Sequence, residues 1–530
     1  MEVNAFTVAA FIIYALIILA IGIYSYKKSK SMSDYFIGGR SLGPWTTAIS
    51  AQASDMSGWL LMGLPGAILV GGLTESWIAI GLFLGTYLNW KLIASRLRRM
   101  SYAAGDAITI PEYLQKRFFT ESPVVRLVCA AIIFVFFLVY TASAFSAGAK
   151  LFNFVFGTDY TLSLTIGALI IISYTFLGGF FAVCWTDLIQ GILMFVALVI
   201  VPFAALAAVP NISAVEFPVA DINGIIVEYY TSFIQNSNGS FAWQTIVSGL
   251  AWGLGYFGMP HILVRFMAIK SSDMIKKSRL IATIWVAITL VAAVLVGIVG
   301  YIYLNSPENA ELLASFNALG DSEKIFMFLS SSLLPALFAG VILSAILAAI
   351  MSTADSQLLV TASAVTNDMF KIFKKNASDK ALMWVSRLTV VGISIIAYLI
   401  ALDPNSSVMG LVSYAWAGLG AAFGPAMLLS LFWKRMTIWG AVAGAAVGGI
   451  SVVVWEMVPF FGYKALENGA SAALTLSTET GIYSLLPAFA LALVAVVAVS
   501  LITKVDKAKV EELFKKVEST TVDSIAAKAE

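Results

Sequence analysis

The sequence predicts an all-α polytopic membrane protein with thirteen transmembrane helices. Three observations predict it. Hydrophobic residues make up 60% of the chain and charged residues 12%, against about 25% charged in soluble domains. Thirteen stretches are apolar over roughly the 20 residues that a bilayer core requires. Lys and Arg cluster on alternate loops, as in a chain that crosses repeatedly.

The stretch 6–26 lacks a basic leader and a small-residue cleavage site, so it reads as a retained helix rather than a signal peptide. Lys27, Lys28, Lys30 and Arg40 follow it. Stretch 44–70 is interrupted by a polar run, Ser50 to Trp59. Stretch 74–95 is followed by Arg96, Arg98, Arg99, Lys116 and Arg117. Stretches 122–156, 161–178 and 181–209 lead to a loop, 210–240, that holds Glu216, Asp221 and Glu228 but no Lys or Arg. Stretch 241–267 precedes Lys270, Lys276, Lys277 and Arg279, and 278–303 comes next. Stretch 331–353 precedes Lys371, Lys374, Lys375 and Lys380. Stretches 383–402, 408–433, 437–461 and 480–503 complete the set, with Lys434 and Arg435 after 408–433. The positive-inside rule puts the N-terminus outside and the C-terminus in the cytoplasm. The odd span count, which puts the two termini on opposite sides, agrees with it. Residues 504–530 carry six basic and six acidic residues around a weak apolar face of Leu513, Phe514 and Val517, which reads as a solvated helix.

Two cysteines, Cys129 and Cys184, make neither a disulfide framework nor a metal site. One histidine, His261, gives no basis for zinc or triad chemistry, and it reads as a packed residue. No phosphate-binding loop, metalloprotease helix or nucleophile elbow occurs, which argues against an ATP-driven pump or an enzyme.

Four groups carry the chemistry. Asp55 sits with Ser54 and Ser57 in the polar run, where a carboxylate near mid-bilayer costs about 2.5–3.5 kcal/mol on insertion scales. Gly and Ser beside it point to a broken helix, and irregular backbone at that depth has to line a cavity or be buried. Such a break is where a secondary transporter holds ion and substrate. Pairing with a basic group between helices is the competing explanation. The second group is Ala349 to Ser356, placed at the end of its span. Its adjacent hydroxyls and a free helix-end carbonyl complete a cation cage, or else Ser352 and Thr353 bond back to their own helix. The third is Trp252 to His261. Trp252, Tyr256 and Pro260 fall at i, i+4 and i+8, one face of a helix, suited to a small substrate with an apolar body. An interfacial aromatic belt is the alternative. The fourth is Tyr140 and Asp187, the latter near a turn where an interfacial charge or N-cap is an equal reading. The two broken spans lie five spans apart, the pattern of two inverted five-helix halves.

Gly38 to Pro44, Ala53 to Gly66, Glu75 to Gly81, Trp252 to Leu263, Ile342 to Thr353 and Leu411 to Gly418 together resemble the sodium/solute symporter family, nearest its bacterial proline-carrying members. The likeness runs through nearly the whole chain. It implies a LeuT-type 5+5 core at 44–435, in halves 44–209 and 241–435. Residues 1–43 precede that core, two further helices follow at 436–503, and 504–530 form a cytoplasmic tail. It implies a sodium site from Ala53, Met56, Ala349, Ser352 and Thr353, with Asp55 as the sodium-critical carboxylate. Ser57, Gly58, Tyr140, Trp252, Tyr256 and Pro260 match substrate positions for L-proline. Arg40 and Asp187 match transport-linked positions. The expected activity is sodium-coupled L-proline uptake across the bacterial inner membrane, with the lipid bilayer as its setting and no nucleic acid or obligate protein partner. Departures such as Gln52 and Met259 bear on fine specificity. A sodium symporter for another small solute keeps the Asp55 and Ser352–Thr353 features and differs around Trp252. A sensor or channel on the same scaffold is a third reading.

Overall fold

The computed structural model describes residues 4–26, 32–177, 179–209, 229–236, 238–465 and 471–519. Lys27, Lys28, Lys30, Glu216, Asp221, Glu228 and the tail beyond 519 lie outside the described residues.

Helix α1 (Ala5–Tyr26) opens the bundle. α2 (Pro44–Asp55) and α3 (Leu64–Gly71) are halves of one bent span. α4 (Trp77–Leu88) and α5 (Ser95–Ala103) belong to one continuous segment, Leu73–Ala103. The short α6 (Ile110–Arg117) leads into α7 (Val124–Phe156), α8 (Tyr160–Leu177) and α9 (Phe180–Ala207). α10 (Trp243–Ala251) and α11 (Pro260–Ala268) flank the second break. α12 (Ile275–Leu304), α13 (Ala336–Ser363), α14 (Asp379–Ile400) and α15 (Val408–Phe432) follow. α16 (Ile438–Met457), α17 (Leu485–Ile502) and α18 (Lys507–Glu518) end the described chain. A hairpin of β1 (Tyr463–Ala465) and β2 (Ser471–Ala473) pairs Tyr463 with Ala473 before α17.

Among the described residues, ten helices are long and apolar enough to cross a membrane, and the two bent pairs bring the number to twelve. The thirteenth expected span is α8, whose apolar run, Tyr160–Phe176, is shorter than the others.

Both breaks fall where the sequence is polar or glycine-rich. At the first, Met56 leaves the helical region (φ −84°, ψ 81°) and the chain bends by 62°. At the second, Trp252–Gly258 winds as a 3₁₀ helix, Met259 is extended, and α11 departs at 47°. Glycines allow this segment to touch α15. A Cβ on Gly255 would lie 2.0 Å from the Trp416 ring, and one on Gly258 would lie 2.7 Å from the Leu419 carbonyl.

Three expectations change. The Ser352–Thr353 motif does not end a span: α13 runs on through Ser363 and the helical segment continues to Phe373. No Gly or Pro lies between Val341 and Ser363 to stop it, so its hydroxyls read as a boundary although they are buried. Trp252, Tyr256 and Pro260 do not share a helix face, because the 3₁₀ winding rotates them differently and Pro260 starts a new helix. The tail helix α18 is not simply solvated. Val510, Leu513, Phe514 and Val517 are buried. The Phe514 ring lies within 5.0 Å of the Arg117 guanidinium, 5.4 Å of Arg96 and 5.6 Å of Lys434, and Arg99 donates to the Val517 carbonyl. The apolar face was legible; the basic platform beneath it is assembled from α5, α6 and the end of α15.

Candidate functional site

The last turn of α2 and the middle of α13 meet in a cluster of oxygens. Ser352 Oγ lies 2.7 Å from the Ala53 carbonyl and 3.1 Å from the Ala349 carbonyl. Thr353 Oγ1 lies 3.4 Å from the same Ala53 carbonyl. Bonding back to its own helix and reaching across to α2 are therefore both true of Ser352. Met56 ends the same turn as Ala53, where the backbone departs from the helix. Neutral carbonyl and hydroxyl oxygens suit a hard cation and offer nothing to a soft one. Among the described residues no cluster of His, Cys, Asp or Glu has the makings of a metal site.

Asp55 is fully buried beside this cluster. Its Oδ2 accepts a hydrogen bond of 2.5 Å from the Tyr256 hydroxyl, and its Oδ1 has no partner among the described residues. The partner is thus a hydroxyl on the other broken span rather than a basic group. The Asp55 carbonyl, freed by the break, accepts from Trp59 Nε1 at 3.0 Å and from the Tyr140 hydroxyl at 3.4 Å. Ser57 Oγ accepts from the Trp59 amide. Gly58 packs so closely that a Cβ would lie 2.9 Å from that of Ala147. Gln52 is buried, and neither end of its amide is paired among the described residues.

An aromatic cluster stands against the second break. Trp252 stacks on Tyr483 with ring centroids 5.0 Å apart, and Trp59 and Trp416 flank it at 6.5 and 6.4 Å. Trp416 Nε1 donates to the Trp252 carbonyl at 2.9 Å, and its ring meets the Tyr256 ring edge-on at 5.0 Å. Burial and packing against three aromatic rings set Trp252 apart from an interfacial belt. Pro260 is the first residue of α11, where a missing N–H costs nothing. His261 packs on Phe137 and Tyr140, as a core residue.

Arg40 and Asp187 stand apart from these groups. Asp187 is neither an N-cap nor interfacial: it lies inside α9, fully buried, with its Oδ2 accepting from Ser50 Oγ at 2.6 Å and from Arg265 Nη2 at 3.1 Å. Arg265 also donates to Ser50, the His261 carbonyl and Ser356, and Ser356 donates to the Ser352 carbonyl. A polar chain thus runs from Asp187 to the backbone of Ser352, whose hydroxyl belongs to the oxygen cluster. Arg40 ties loop to helix end. It donates to Asp106 at 2.8 Å and to the Ala107 and Met267 carbonyls, and it holds a positive φ of 55°. Burial lowers its guanidinium pKa, and Asp106 opposes that shift.

Sequence reasoning did not single out Arg265, Trp416 or Tyr483. Arg265 lay inside an apolar run, where a lone intramembrane cation is itself a signal. Tyr483 stacks on Trp252 from a segment 231 positions away, and no local pattern announces such a contact. Asp355, within the Ala349–Ser356 stretch, is fully buried and accepts from Thr175 on α8.

Residues 35–448 match the model of the sodium:solute symporter family. The chain is 45% identical over 494 residues to the osmoregulated proline transporter OpuE of Bacillus subtilis, covering 93% of this chain and 94% of that protein. It is 41% identical over 515 residues to the sodium/proline symporter of Escherichia coli, covering 97% and 96%. A solved structure of a Na+-coupled sialic acid symporter, substrate-bound and outward-open, matches with a TM-score of 0.74 at 20% identity, over 95% of this chain and 99% of that one. That likeness is one of fold, the LeuT-type core.

Proposed function

The chain belongs to the sodium:solute symporter family, and on that footing we propose that it carries L-proline into the bacterial cell together with sodium, by alternating access. Bacterial relatives named as proline transporters and sodium/proline symporters support the substrate and an inner-membrane location. The observation that carries the reading is the Asp55–Tyr256 hydrogen bond, which joins the turn beside the oxygen cluster to the aromatic segment of the other broken span.

In this reading sodium is held by the carbonyls of Ala53, Met56 and Ala349 and the hydroxyls of Ser352 and Thr353. When the ion arrives, Ser352 and Thr353 turn lone pairs toward it and their protons away from Ala53. The ion then fastens α2 to α13. Asp55 supplies negative charge beside the cluster without being a ligand. It orients Tyr256 and thereby the 3₁₀ segment carrying Trp252. Proline's ring lies against Trp252 and Tyr256, with Pro260 limiting the depth, and Ser57, Gly58 and Tyr140 shape the opposite wall. Helix ends at a break offer N–H groups to a carboxylate and carbonyls to an amine. An amino acid without side-chain charge leaves nothing buried and unpaired. Asp187, through Arg265 and Ser356, steadies the α13 side. Arg40 braces the cytoplasmic end of α11. Residues 44–435 form the transport core, with the N-terminus outside and the C-terminus in the cytoplasm. The test is uptake of labelled proline into proteoliposomes. Uptake driven by an inward sodium gradient, with proline competing far better than glutamate, glucose or pantothenate, supports the reading. Better competition by another solute removes proline as the substrate.

A further inference from the structure

α12 borders two open apolar grooves of equal volume, about 490 Å³ each. One lies toward its C-terminal half, among Phe83, Leu84, Phe233, Val291 and Leu295, with no charged residue in its wall. The other lies at its N-terminal end, where Trp45 and Ile49 of α2, Ile192 and Phe195 of α9 and Ile284 of α12 make an apolar trough, and a single cation, Lys277, lines it. Ser278 Oγ donates to the Pro44 carbonyl at 3.0 Å, which holds the Lys277 end of α12 against the Trp45 end of α2. Trp45 is 57% exposed, and Lys277 is exposed, with no acidic side chain in ion-pair range among the described residues. Lys276, also exposed, and Arg279 adjoin it, and Asp273 is the nearby acid in sequence.

A greasy trough closed at its basic-loop end by an unneutralised ammonium group and a tryptophan has the complementarity of one class of molecule. We propose that this groove is a binding site for an anionic phospholipid of the phosphatidylglycerol type, with an acyl chain along Ile49, Ile192, Phe195 and Ile284 and the phosphate on Lys277. Basic pockets between transmembrane helices on the cytoplasmic side are where anionic headgroups bind. The uncharged groove on the same helix lacks the feature that selects a headgroup and serves as the internal contrast. The bound chain would lie on Ile49, one turn before Ala53 on α2, and Ile49 already sits so close to Gly191 that a Cβ there would be 2.5 Å from its Cγ2. The lipid would thus buttress the half-helix that carries the oxygen cluster. The assignment does not depend on which solute is carried.

The experiment uses the full-length protein in phosphatidylcholine vesicles, with brominated acyl chains as quenchers of tryptophan emission. The Trp45 signal is the difference between the parent and Trp45→Phe. Brominated phosphatidylglycerol is expected to quench it at about fivefold lower mole fraction than brominated phosphatidylcholine, the scale of one basic residue at an anionic surface. Lys277→Gln should erase that difference and Lys277→Arg should keep it. Equal quenching by the two lipids, or a preference that survives Lys277→Gln, overturns the proposal. Loss of the preference on adding inorganic phosphate also overturns it, since a free anion would then suffice.

Discussion

Tyr256→Phe deletes one oxygen and tests how the two breaks communicate. The Tyr256 hydroxyl donates to Asp55 Oδ2 at 2.5 Å, both groups are buried, and Asp55 Oδ1 has no partner among the described residues. That length lies in the charge-assisted range for O–H···O⁻ bonds, and a hydrogen bond to a charged group is worth about 1.5–3 kcal/mol. If sodium binding relies on Asp55 being held in this orientation, Tyr256→Phe raises the sodium concentration for half-maximal uptake by roughly 10–100-fold. Asp55→Asn does at least as much. Because the two side chains act as one unit, the double variant should be little worse than Asp55→Asn alone, with a coupling energy of about 1.5–3 kcal/mol in the double-mutant cycle. The assay is labelled-proline uptake against sodium for the four proteins, each checked for insertion. Additive single effects, or a Tyr256→Phe protein that titrates like the parent, refute the reasoning.

Other outcomes follow from the same geometry. Ser352 reaches two carbonyls at 2.7 and 3.1 Å, whereas Thr353 reaches one at 3.4 Å, so Ser352→Ala should raise the sodium requirement by about tenfold or more and Thr353→Ala by less; the reverse order in sodium titrations of uptake contradicts this placement. Asp187→Asn strands Arg265 in the core and should destabilise by about 3–5 kcal/mol, while Asp187→Leu with Arg265→Met should recover much of the loss, read by thermal unfolding in detergent. Trp252→Ala should weaken proline by about 1–3 kcal/mol, the scale of a lost apolar contact, and leave sodium-induced fluorescence change without proline nearly intact. Phe514→Ala should free α18, seen as faster tryptic cleavage at the exposed Lys507, Lys509 and Lys515 with the melting temperature of the transmembrane bundle unchanged.

Much of this was readable in the chain because the bilayer punishes exceptions. A carboxylate at Asp55 and glycines at 253, 255 and 258 stand out against apolar surroundings, and both mark real breaks. What escaped notice depended on distance or on winding. Local polarity at Ser352–Thr353 imitates a helix end, yet helix interiors admit hydroxyls that bond back or across, and the helix continues. The Trp252–Tyr256–Pro260 spacing assumes 3.6 residues per turn, and the chain adopts a tighter turn there. Tyr483 on Trp252, Arg265 on Asp187 and the basic platform under Phe514 each join segments far apart in sequence. No periodicity records such pairings.

Equilibrium binding of labelled proline to the purified protein, with and without sodium, tests most directly whether ion and substrate sites are coupled across the two breaks. Coupling is reciprocal, typically 5–150-fold, or about 1–3 kcal/mol. Saturating sodium should tighten proline binding by a factor in that range, and saturating proline should tighten sodium binding by the same factor. Both factors should shrink toward one in Tyr256→Phe. Proline that binds equally well in sodium-free choline buffer would contradict a sodium-coupled site built from Ala53, Ser352, Asp55 and Tyr256.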